Sequence, residues 1–240
     1  MLKVLKQSVA MQNVIIFLLL NIFYLHIVKS LTLGHSSFIF SEFKAQILDN
    51  YLLVILTLLT VLLVSWVKRI SALFLLFVIG WTTSISVKFY FVDYNKFSLM
   101  LIFFYLLTGG IFFLFWFIEL EEPFYHPLYE RHEIGNRNEF QINCILKIKG
   151  NEYNGYLSNW GESGCFCVIN NLHSKHLRGK GKLEVLYGQK VYSAFIEICT
   201  EYDNGVGMVI SDKKVDSIFT WSELFTILSD RGLNPKYSFA

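Results

Sequence analysis

Long apolar runs in the first half of the sequence constrain the fold most strongly. Residues 14–33 are apolar over about the 20 positions that a helix needs to cross the hydrocarbon core of a bilayer. Further apolar runs follow at 51–67, 70–90 and 97–120. Because a bilayer offers no water to backbone N–H and C=O groups, each run is expected to be helical. The sequence therefore predicts a transmembrane domain of four helices over residues 1–120.

The distribution of charge supports this division. Residues 1–118 contain eight Lys and Arg and three Asp and Glu, whereas residues 119–240 contain 13 and 16. Hydrophobic residues make up 54% of the chain and the mean hydropathy is +0.45, which is too apolar for an ordinary soluble protein. The lipid bilayer is thus an expected partner. The formal net charge of +2, without a long block of like charge, disfavours a nucleic-acid partner.

The loop charges predict the orientation. Four spans place both termini on one side, and cytoplasmic loops are enriched in Lys and Arg. Six basic residues lie on the side of the termini and four on or near the other, namely Lys3, Lys6, Lys68, Arg69, Arg131 and Arg137 against Lys29, Lys44, Lys88 and Lys96. This modest excess favours N and C termini in the cytoplasm.

Polar residues inside the apolar runs admit more than one reading. Asn21 and His26 interrupt the first run, and His26 could be a proton or metal group, although helix packing is favoured. Gly109 and Gly110 are expected to let a neighbouring helix approach or to allow a mild kink. The runs contain no row of acids and no repeated half, so an anchor or sensor is favoured over a transporter. A membrane-embedded transferase is the weakest alternative.

The second half changes to a strand period. Pro123 and Pro127 mark a linker at 121–138, after which apolar and polar residues alternate. Strands are expected at 140–148, 153–158, 164–169, 183–187, 191–199 and 206–210, separated by glycine-containing turns. Six short strands fit a closed antiparallel β-barrel at 139–240. Thr220 and Glu223 form a capping box for a C-terminal helix that would cover one end of the barrel or, less favourably, bind a partner.

The cysteines and histidines do not predict a metal site. Cys165 and Cys167 share one face of a strand and lack the CxxC spacing of a zinc or redox site, so reduced and half-buried thiols are expected. His173 and His176 have no carboxylate or cysteine nearby in sequence. They lie in a basic loop at 173–182, which could contact anionic headgroups or phosphate or simply be solvated.

A polar corner at 159–167, read NWGESGCFC, stands directly before an apolar strand. Gly161 and Gly164 would permit unusual backbone angles and close approach of a ligand, while the Asn159 amide offers both donors and an acceptor. A plain hairpin with the same glycines would look alike. The corner is thus either a simple turn or one that faces a polar ligand.

The corner resembles the second motif of PilZ domains, small bacterial β-barrels that bind cyclic di-GMP. The family has an RxxxR arm, a strand pair and a [D/N]xSxxG motif followed by a hydrophobic strand. Here Arg131 and Arg137 lie upstream, Asn159, Gly161 and Gly164 occupy the motif, and GVGMVIS at 205–211 looks like the closing strand. The resemblance covers about half of the chain. It implies that these five residues bind cyclic di-GMP.

Two positions depart from the family pattern. Aligned on Arg137, the first arginine of the pattern falls on Glu133, and Arg131 stands two positions too early. Gly161 replaces the usual serine, which removes a hydroxyl worth about 1 kcal/mol as a net hydrogen bond.

The resemblance implies a membrane-anchored cyclic di-GMP receptor in the bacterial inner membrane, which passes nucleotide binding to the membrane region or to a protein partner. The alternative is a degenerate barrel that binds no nucleotide and acts as a protein-interaction adaptor. No cofactor is expected beyond this regulatory ligand. The sequence has no nucleophile elbow, P-loop or zinc-protease motif, so no catalytic residue and no enzymatic activity are expected.

Overall fold

The computed structural model describes residues 3–34, 36–126, 142–169, 177–202, 205–211 and 219–233. The chain divides into two compact units. One is the helical unit Gln7–Leu120, and the other combines Met1–Lys6 with Glu121–Ala240.

The helical unit contains five helices. They are α1 (Val9–Leu33), α2 (Phe40–Asp49), α3 (Tyr51–Ser65), α4 (Ile70–Asp93) and α5 (Lys96–Glu119). Helices α1, α4 and α5 are each long and apolar enough to cross a membrane, and the pair α2 and α3, bent by 83°, would together make a fourth span. Helix α2 forms where the sequence predicts only a polar connector, because its charged residues lower the hydropathy without breaking the helix.

A buried hydrogen-bond network joins three of these helices. The Asn21 amide of α1 donates to the Thr82 hydroxyl of α4 at 2.9 Å and accepts from the Tyr105 hydroxyl of α5 at 2.8 Å. Such bonds between apolar helices contribute about 0.6 to 1.7 kcal/mol each. Asn21 therefore holds α1 between α4 and α5.

His26 is also buried, with 1% of its surface exposed. Its Nε2 atom lies 3.0 Å from the Ser37 carbonyl, and its ring packs edge-on against Phe43 of α2. Since a carbonyl can only accept, Nε2 is the protonated nitrogen. Within the described ranges, no group of three or more His, Cys, Asp or Glu could hold a metal ion. These contacts support the packing interpretation of His26.

Gly109 lies where helices approach closely, whereas Gly110 does not. A Cβ atom added at Gly109 would lie 3.2 Å from Ile79 Cδ1 of α4 and 3.3 Å from Phe17 Cζ of α1. The same atom at Gly110 would meet nothing within 4 Å. Only the first glycine of the pair is required by packing.

Gly109→Leu should destabilise the helical unit by about 1 to 3 kcal/mol, because a large side chain would separate α5 from α1 and α4. Gly110→Leu is the matched control and should change stability little. Thermal unfolding in detergent, followed by circular dichroism at the helix signal, compares the two variants. Equal midpoints would contradict the packing role of Gly109.

The second unit is an antiparallel β-barrel. Its six strands are β2 (Asn143–Ile148), β3 (Asn151–Trp160), β4 (Gly164–Ile169), β5 (Lys180–Tyr187), β6 (Lys190–Tyr202) and β7 (Gly205–Ser211). They pair in the order β6-β5-β2-β3-β4-β7, and the β6–β7 pair closes the barrel. A short strand β1 (Lys3–Val4) adds to β6. The predicted six-stranded barrel is confirmed, although β5 begins three residues early, on Lys180.

The C-terminal helix α6 (Trp221–Asp230) packs against the barrel core. Its Trp221, Leu224 and Leu228 are buried in one cluster with the inward side chains of the strands. The capping box is formed, since the Glu223 N–H donates to the Thr220 hydroxyl and the Thr220 N–H donates to the Glu223 carboxylate. The predicted C-terminal helix and its start are therefore confirmed.

All four cysteines are free and buried. Cys144 Sγ and Cys167 Sγ lie 3.3 Å apart inside the barrel. The hydrogen bond to Cys167, together with burial, raises the pKa of the Cys144 thiol, and burial raises the pKa of Cys167. The thiols are fully buried rather than half-buried, and Cys144, Cys165 and Cys167 belong to the core cluster that the closed barrel and α6 enclose.

The thiols should therefore resist modification in the folded protein. Burial keeps the reagent from all four thiols, and the raised pKa of Cys144 and Cys167 also lowers their fraction of thiolate, which is the reactive form. A colorimetric disulfide reagent at pH 8 should titrate almost no thiol in the native protein and four per chain after denaturation. Rapid reaction of two or more thiols in the folded protein would contradict this arrangement.

Candidate functional site

A short turn from the linker covers one wall of the barrel. The linker turn consists of the 3₁₀ helix Pro123–Tyr125 and His126. It lies against β3, β4, β6 and β7. Phe124 is 5% exposed and Tyr125 3%. The linker turn is thus part of the folded barrel unit.

The wall under the linker turn is a row of four residues on neighbouring strands. Asn159 of β3 pairs with Phe166 of β4, Phe166 with Gly207 of β7, and Gly207 with Thr200 of β6. Directly opposite residues of antiparallel strands share a face of the sheet. We call this set the outer row, because flanking residues such as Cys165, Cys167 and Met208 belong to the core cluster, whereas the four residues of the row do not.

Asn159 and Thr200, the polar residues at the two ends of the outer row, donate hydrogen bonds to carbonyl groups of the linker turn. The Asn159 amide donates to the His126 carbonyl at 2.9 Å and to the Pro123 carbonyl at 3.5 Å. The Thr200 hydroxyl donates to the Phe124 carbonyl. Asn159 Oδ1 accepts from the Trp160 N–H at 2.9 Å. Since Asn159 and Thr200 are buried, these bonds satisfy groups that water cannot reach.

Two β-bulges aim these polar residues outward. Inward residues alternate along β3 up to Leu157 and along β6 up to Ile198, and strict alternation would next place Asn159 and Thr200 in the core. The register instead shifts between Leu157 and Asn159 and between Ile198 and Thr200. Each extra residue reverses the facing of those after it. Both ends of the outer row are therefore produced by bulges.

Glycines let the linker turn approach the sheet. A Cβ atom at Gly207 would lie 2.0 Å from the Phe124 carbonyl oxygen. At Gly161 it would lie 2.7 Å from Pro123 Cγ, and at Gly164 2.8 Å from Phe124 Cδ1. Real Cβ contacts are longer than this, so a side chain at any of the three positions would displace the linker turn.

The sequence-predicted site residues have different outcomes. The structure brings Asn159, Gly161 and Gly164 together under the linker turn. Neither glycine has a positive φ, so the expectation that they permit unusual backbone angles is wrong. Their close approach is to Pro123 and Phe124. Arg131 and Arg137, like Glu133, lie outside the described residues, as do His173 and His176 of the basic loop.

Sequence reasoning missed Thr200 and Gly207 as parts of this wall. A strand-interior glycine often marks close approach of another backbone, so Gly207 in GVGMVIS carried a usable signal. Thr200 carried none, because its orientation depends on the bulge.

The residues just before and just after the segment that carries the arginines are both bound by β3. Residues 127–141 follow His126, whose carbonyl is bound by Asn159. They precede Ile142, whose carbonyl accepts from the Leu157 N–H at 2.9 Å. Asn159 and Leu157 are two residues apart on β3, roughly 7 Å along the strand. We call residues 127–141 the arm.

The corner is acidic in the part of the chain that the structure describes. The Ser163 hydroxyl at the tip of the β3–β4 turn donates to the Glu122 carboxylate, and Glu162 beside it is exposed. The Gly161 N–H donates to the Gly164 carbonyl at 2.9 Å, and the Gly161 carbonyl accepts from the Trp221 indole at 3.0 Å. Positive charge for an anionic ligand would have to come from elsewhere, and the arm contains both candidate arginines.

Another wall of the barrel carries a shallow groove of about 380 Å³ on β2, β3, β5 and β6. Its apolar lining includes Leu186, 55% exposed, and Val191, 49% exposed, which pair directly across β5 and β6. Asn143, Asn154 and Glu184 provide its polar lining. This outer groove is distinct from the wall under the linker turn.

Comparisons with known proteins give matches among solved structures alone. No family model matches the sequence, and a comparison with curated proteins found no match. Among solved structures, the PilZ domain of CeSA from a cellulose-synthesizing bacterium matches with 12% identity and a TM-score of 0.29. The match covers 39% of this chain and 93% of that chain. At this TM-score the match carries no argument about the function of this chain.

Thr200→Val and Asn159→Ala should loosen the linker turn. Each removes a side-chain donor from the linker turn, at a cost of about 1 to 3 kcal/mol, and Asn159→Ala should cost more because its side chain makes more bonds. The amides of Tyr125 and His126 should exchange faster with deuterium in the full-length protein in detergent. Thr226→Val, at an exposed position of α6, is the matched control. Unchanged exchange in both site variants would contradict the role of the outer row.

Proposed function

We propose that this protein is a membrane-anchored receptor for cyclic di-GMP. Residues 1–120 form the anchor, 121–138 the linker with its arginines, and 139–240 the receptor barrel. The carrying observation is the hydrogen bond from the Asn159 amide to the His126 carbonyl, because it fixes the start of the arm at the motif that resembles the PilZ signature.

Chain length supports a clamp between the arm and the barrel. Arg131 is five residues beyond His126, and Arg137 is five residues before Ile142. A chain extends by at most about 3.6 Å per residue, so both arginines stay within roughly 18 Å of a fixed point beside the corner. A dinucleotide that binds at the corner is within reach of both guanidinium groups.

The chemistry of the arginines fits a cyclic dinucleotide. The guanidinium fork bonds phosphate oxygens, or guanine O6 and N7, in pairs and can stack on a base. The amide donors of Asn159 already bind the linker turn. A ligand that takes over these donors would therefore release the turn, whereas a ligand held by the arginines alone would leave it in place. The first outcome would link nucleotide binding to the chain that leaves α5.

The proposal assigns a regulatory binding role and no catalytic step. The cytoplasmic placement of both termini and the bacterial inner membrane belong to the same proposal, since cyclic di-GMP is an intracellular ligand of the family that the chain resembles. The candidate spans, three or four in number, support the membrane anchor.

Calorimetric titration of cyclic di-GMP into the full-length protein in lipid nanodiscs tests the receptor. Saturable heat is expected at micromolar protein. Arg137→Ala should weaken binding most, by about 10- to 100-fold, because a charge-assisted hydrogen bond contributes about 1.5 to 3 kcal/mol. Arg231→Ala, an exposed arginine outside both the arm and the basic loop, is the control. Absence of heat, or an affinity unchanged by loss of Arg131 and Arg137 together, would refute the receptor.

The outer groove favours an adaptor as the second candidate. Paired exposed apolar side chains such as Leu186 and Val191 are typical of the core of a protein-binding surface. An adaptor would retain a co-purifying protein partner when both arm arginines are replaced and would lose it in Leu186→Glu. The receptor proposal predicts no such dependence on Leu186.

A further inference from the structure

The N-terminal segment is a seventh strand on the barrel. Lys3 pairs with Glu201 and Val4 with Thr200, in antiparallel register. The backbone N–H groups of Leu5 and Lys6 both donate to the Cys199 carbonyl, at 2.8 and 3.2 Å. We call residues 3–6 the strap. Nothing in the sequence analysis anticipates it, because four residues are too few to show a strand period.

The strap covers an edge of β6 that no barrel strand reaches. Strand β5 pairs with β6 as far as Glu197, opposite Lys180, and β1 resumes pairing on that edge at Thr200. Without the strap this edge would expose unpaired backbone groups. Leu5 packs against the barrel core, and Lys6 forms an ion pair of 2.6 Å with Glu197. Backbone pairing and apolar packing, more than the exposed ion pair, hold the strap in place.

The chain enters the helical unit from the strap and leaves it toward the linker turn, and both of these segments bind Thr200 of the outer row. Only Gln7 and Ser8 separate the strap from α1, and the Ser8 hydroxyl caps that helix by accepting from the Met11 N–H at 3.1 Å. At the other end, Leu120 precedes Glu121, Glu122 and the linker turn. Thr200 is bound from both directions, since its backbone pairs with Val4 and its hydroxyl donates to the Phe124 carbonyl.

We propose that the strap joins the N terminus to the barrel on one side of the membrane, and that Gln7–Leu120 therefore crosses the membrane four times, with the bent pair α2 and α3 as one broken span. A β-sheet pair cannot form through a bilayer, so β1 and β6 lie on the same side and the number of crossings is even. Helices α1, α4 and α5 account for three crossings. A re-entrant α2 and α3 would leave that number odd.

The length of the bent pair agrees with this count. Helix α3 has 15 residues, or about 22 Å at 1.5 Å per residue, which is short of a hydrocarbon core of about 30 Å. The preceding α2 adds 10 residues after the 83° bend. Because the two axes are almost perpendicular, the pair approaches the thickness of the hydrocarbon core only when both helices tilt from the membrane normal.

The strap also bears on regulation, and this part rests on the proposed receptor function. Thr200 joins the linker turn to β1, so a ligand that moves the turn acts on the chain entering α1 as well as on the chain leaving α5. The arrangement provides two connections to the membrane region instead of one.

A disulfide cross-link in the full-length protein in membrane vesicles tests the strap without any nucleotide. Lys3→Cys with Glu201→Cys should form an intramolecular disulfide on mild oxidation, detected by mass spectrometry of the linked peptides. Lys3→Cys with Glu152→Cys, an exposed position on β3, is the control and should remain reduced. Failure of the 3–201 pair to cross-link, or equal cross-linking of the control pair, would overturn the strap.

Labelling with a membrane-impermeant maleimide tests the crossing count. Single variants Phe38→Cys, Lys68→Cys, Asn95→Cys and Glu201→Cys are compared in vesicles of both orientations, with the wild type as control for its buried thiols. Four crossings place positions 68 and 201 on one side and positions 38 and 95 on the other. A re-entrant pair places 38, 68 and 201 together, opposite 95, and that pattern would overturn the proposal. Both tests remain decisive whether or not cyclic di-GMP binds.

Discussion

The barrel unit depends on how the backbone of the linker turn is satisfied against a β-sheet. Pro123 and Phe124 are buried and His126 is partly buried, and a buried carbonyl without a donor costs about 1 to 3 kcal/mol. Asn159 and Thr200 supply the donors from the two ends of the outer row. Gly207 between them leaves room for the Phe124 carbonyl to reach Thr200. The turn that follows the last membrane helix is therefore built into the barrel.

This attachment changes the meaning of the glycine corner. Gly161 and Gly164 look like positions kept open for a ligand, but in the structure Pro123 and Phe124 occupy that space. The corner therefore holds the base of the arm, and the arm returns to β3 beside it at Ile142. The residues on either side of the arm, His126 and Ile142, are therefore fixed against β3. None of the four residues of the outer row is charged, which limits the cost of burying the linker turn.

The strap and the linker turn meet at Thr200 from opposite sides. Consequently the helical segment leaves the barrel sheet at Lys6 and returns to the same unit at Glu121. Because both ends of the helical segment join the same barrel unit, this connection constrains the membrane topology more strongly than the loop charges do. Lysines and arginines give only a small excess on one side, whereas strand pairing requires that its partners share one aqueous compartment. Under the proposed even number of crossings, the bent pair α2 and α3, ambiguous by length and composition, forms one broken span.

The sequence by itself determined the class of each half. Apolar runs force helices in a bilayer, and the alternating pattern with glycine turns and the Thr220 capping box specifies a small barrel with a C-terminal helix, because these signals are local. It also located Asn159, Gly161 and Gly164, whose composition marks a turn. Only the tertiary structure decided which way Asn159 and Thr200 face, since the orientation of each side chain depends on a one-residue bulge. The hydrogen bonds to carbonyls of the linker turn, which is distant in sequence, offset the free-energy cost of these bulges. The strap was equally hidden, because a strand of two residues has no period of its own and exists only through pairing with β6, almost 200 residues away in the chain.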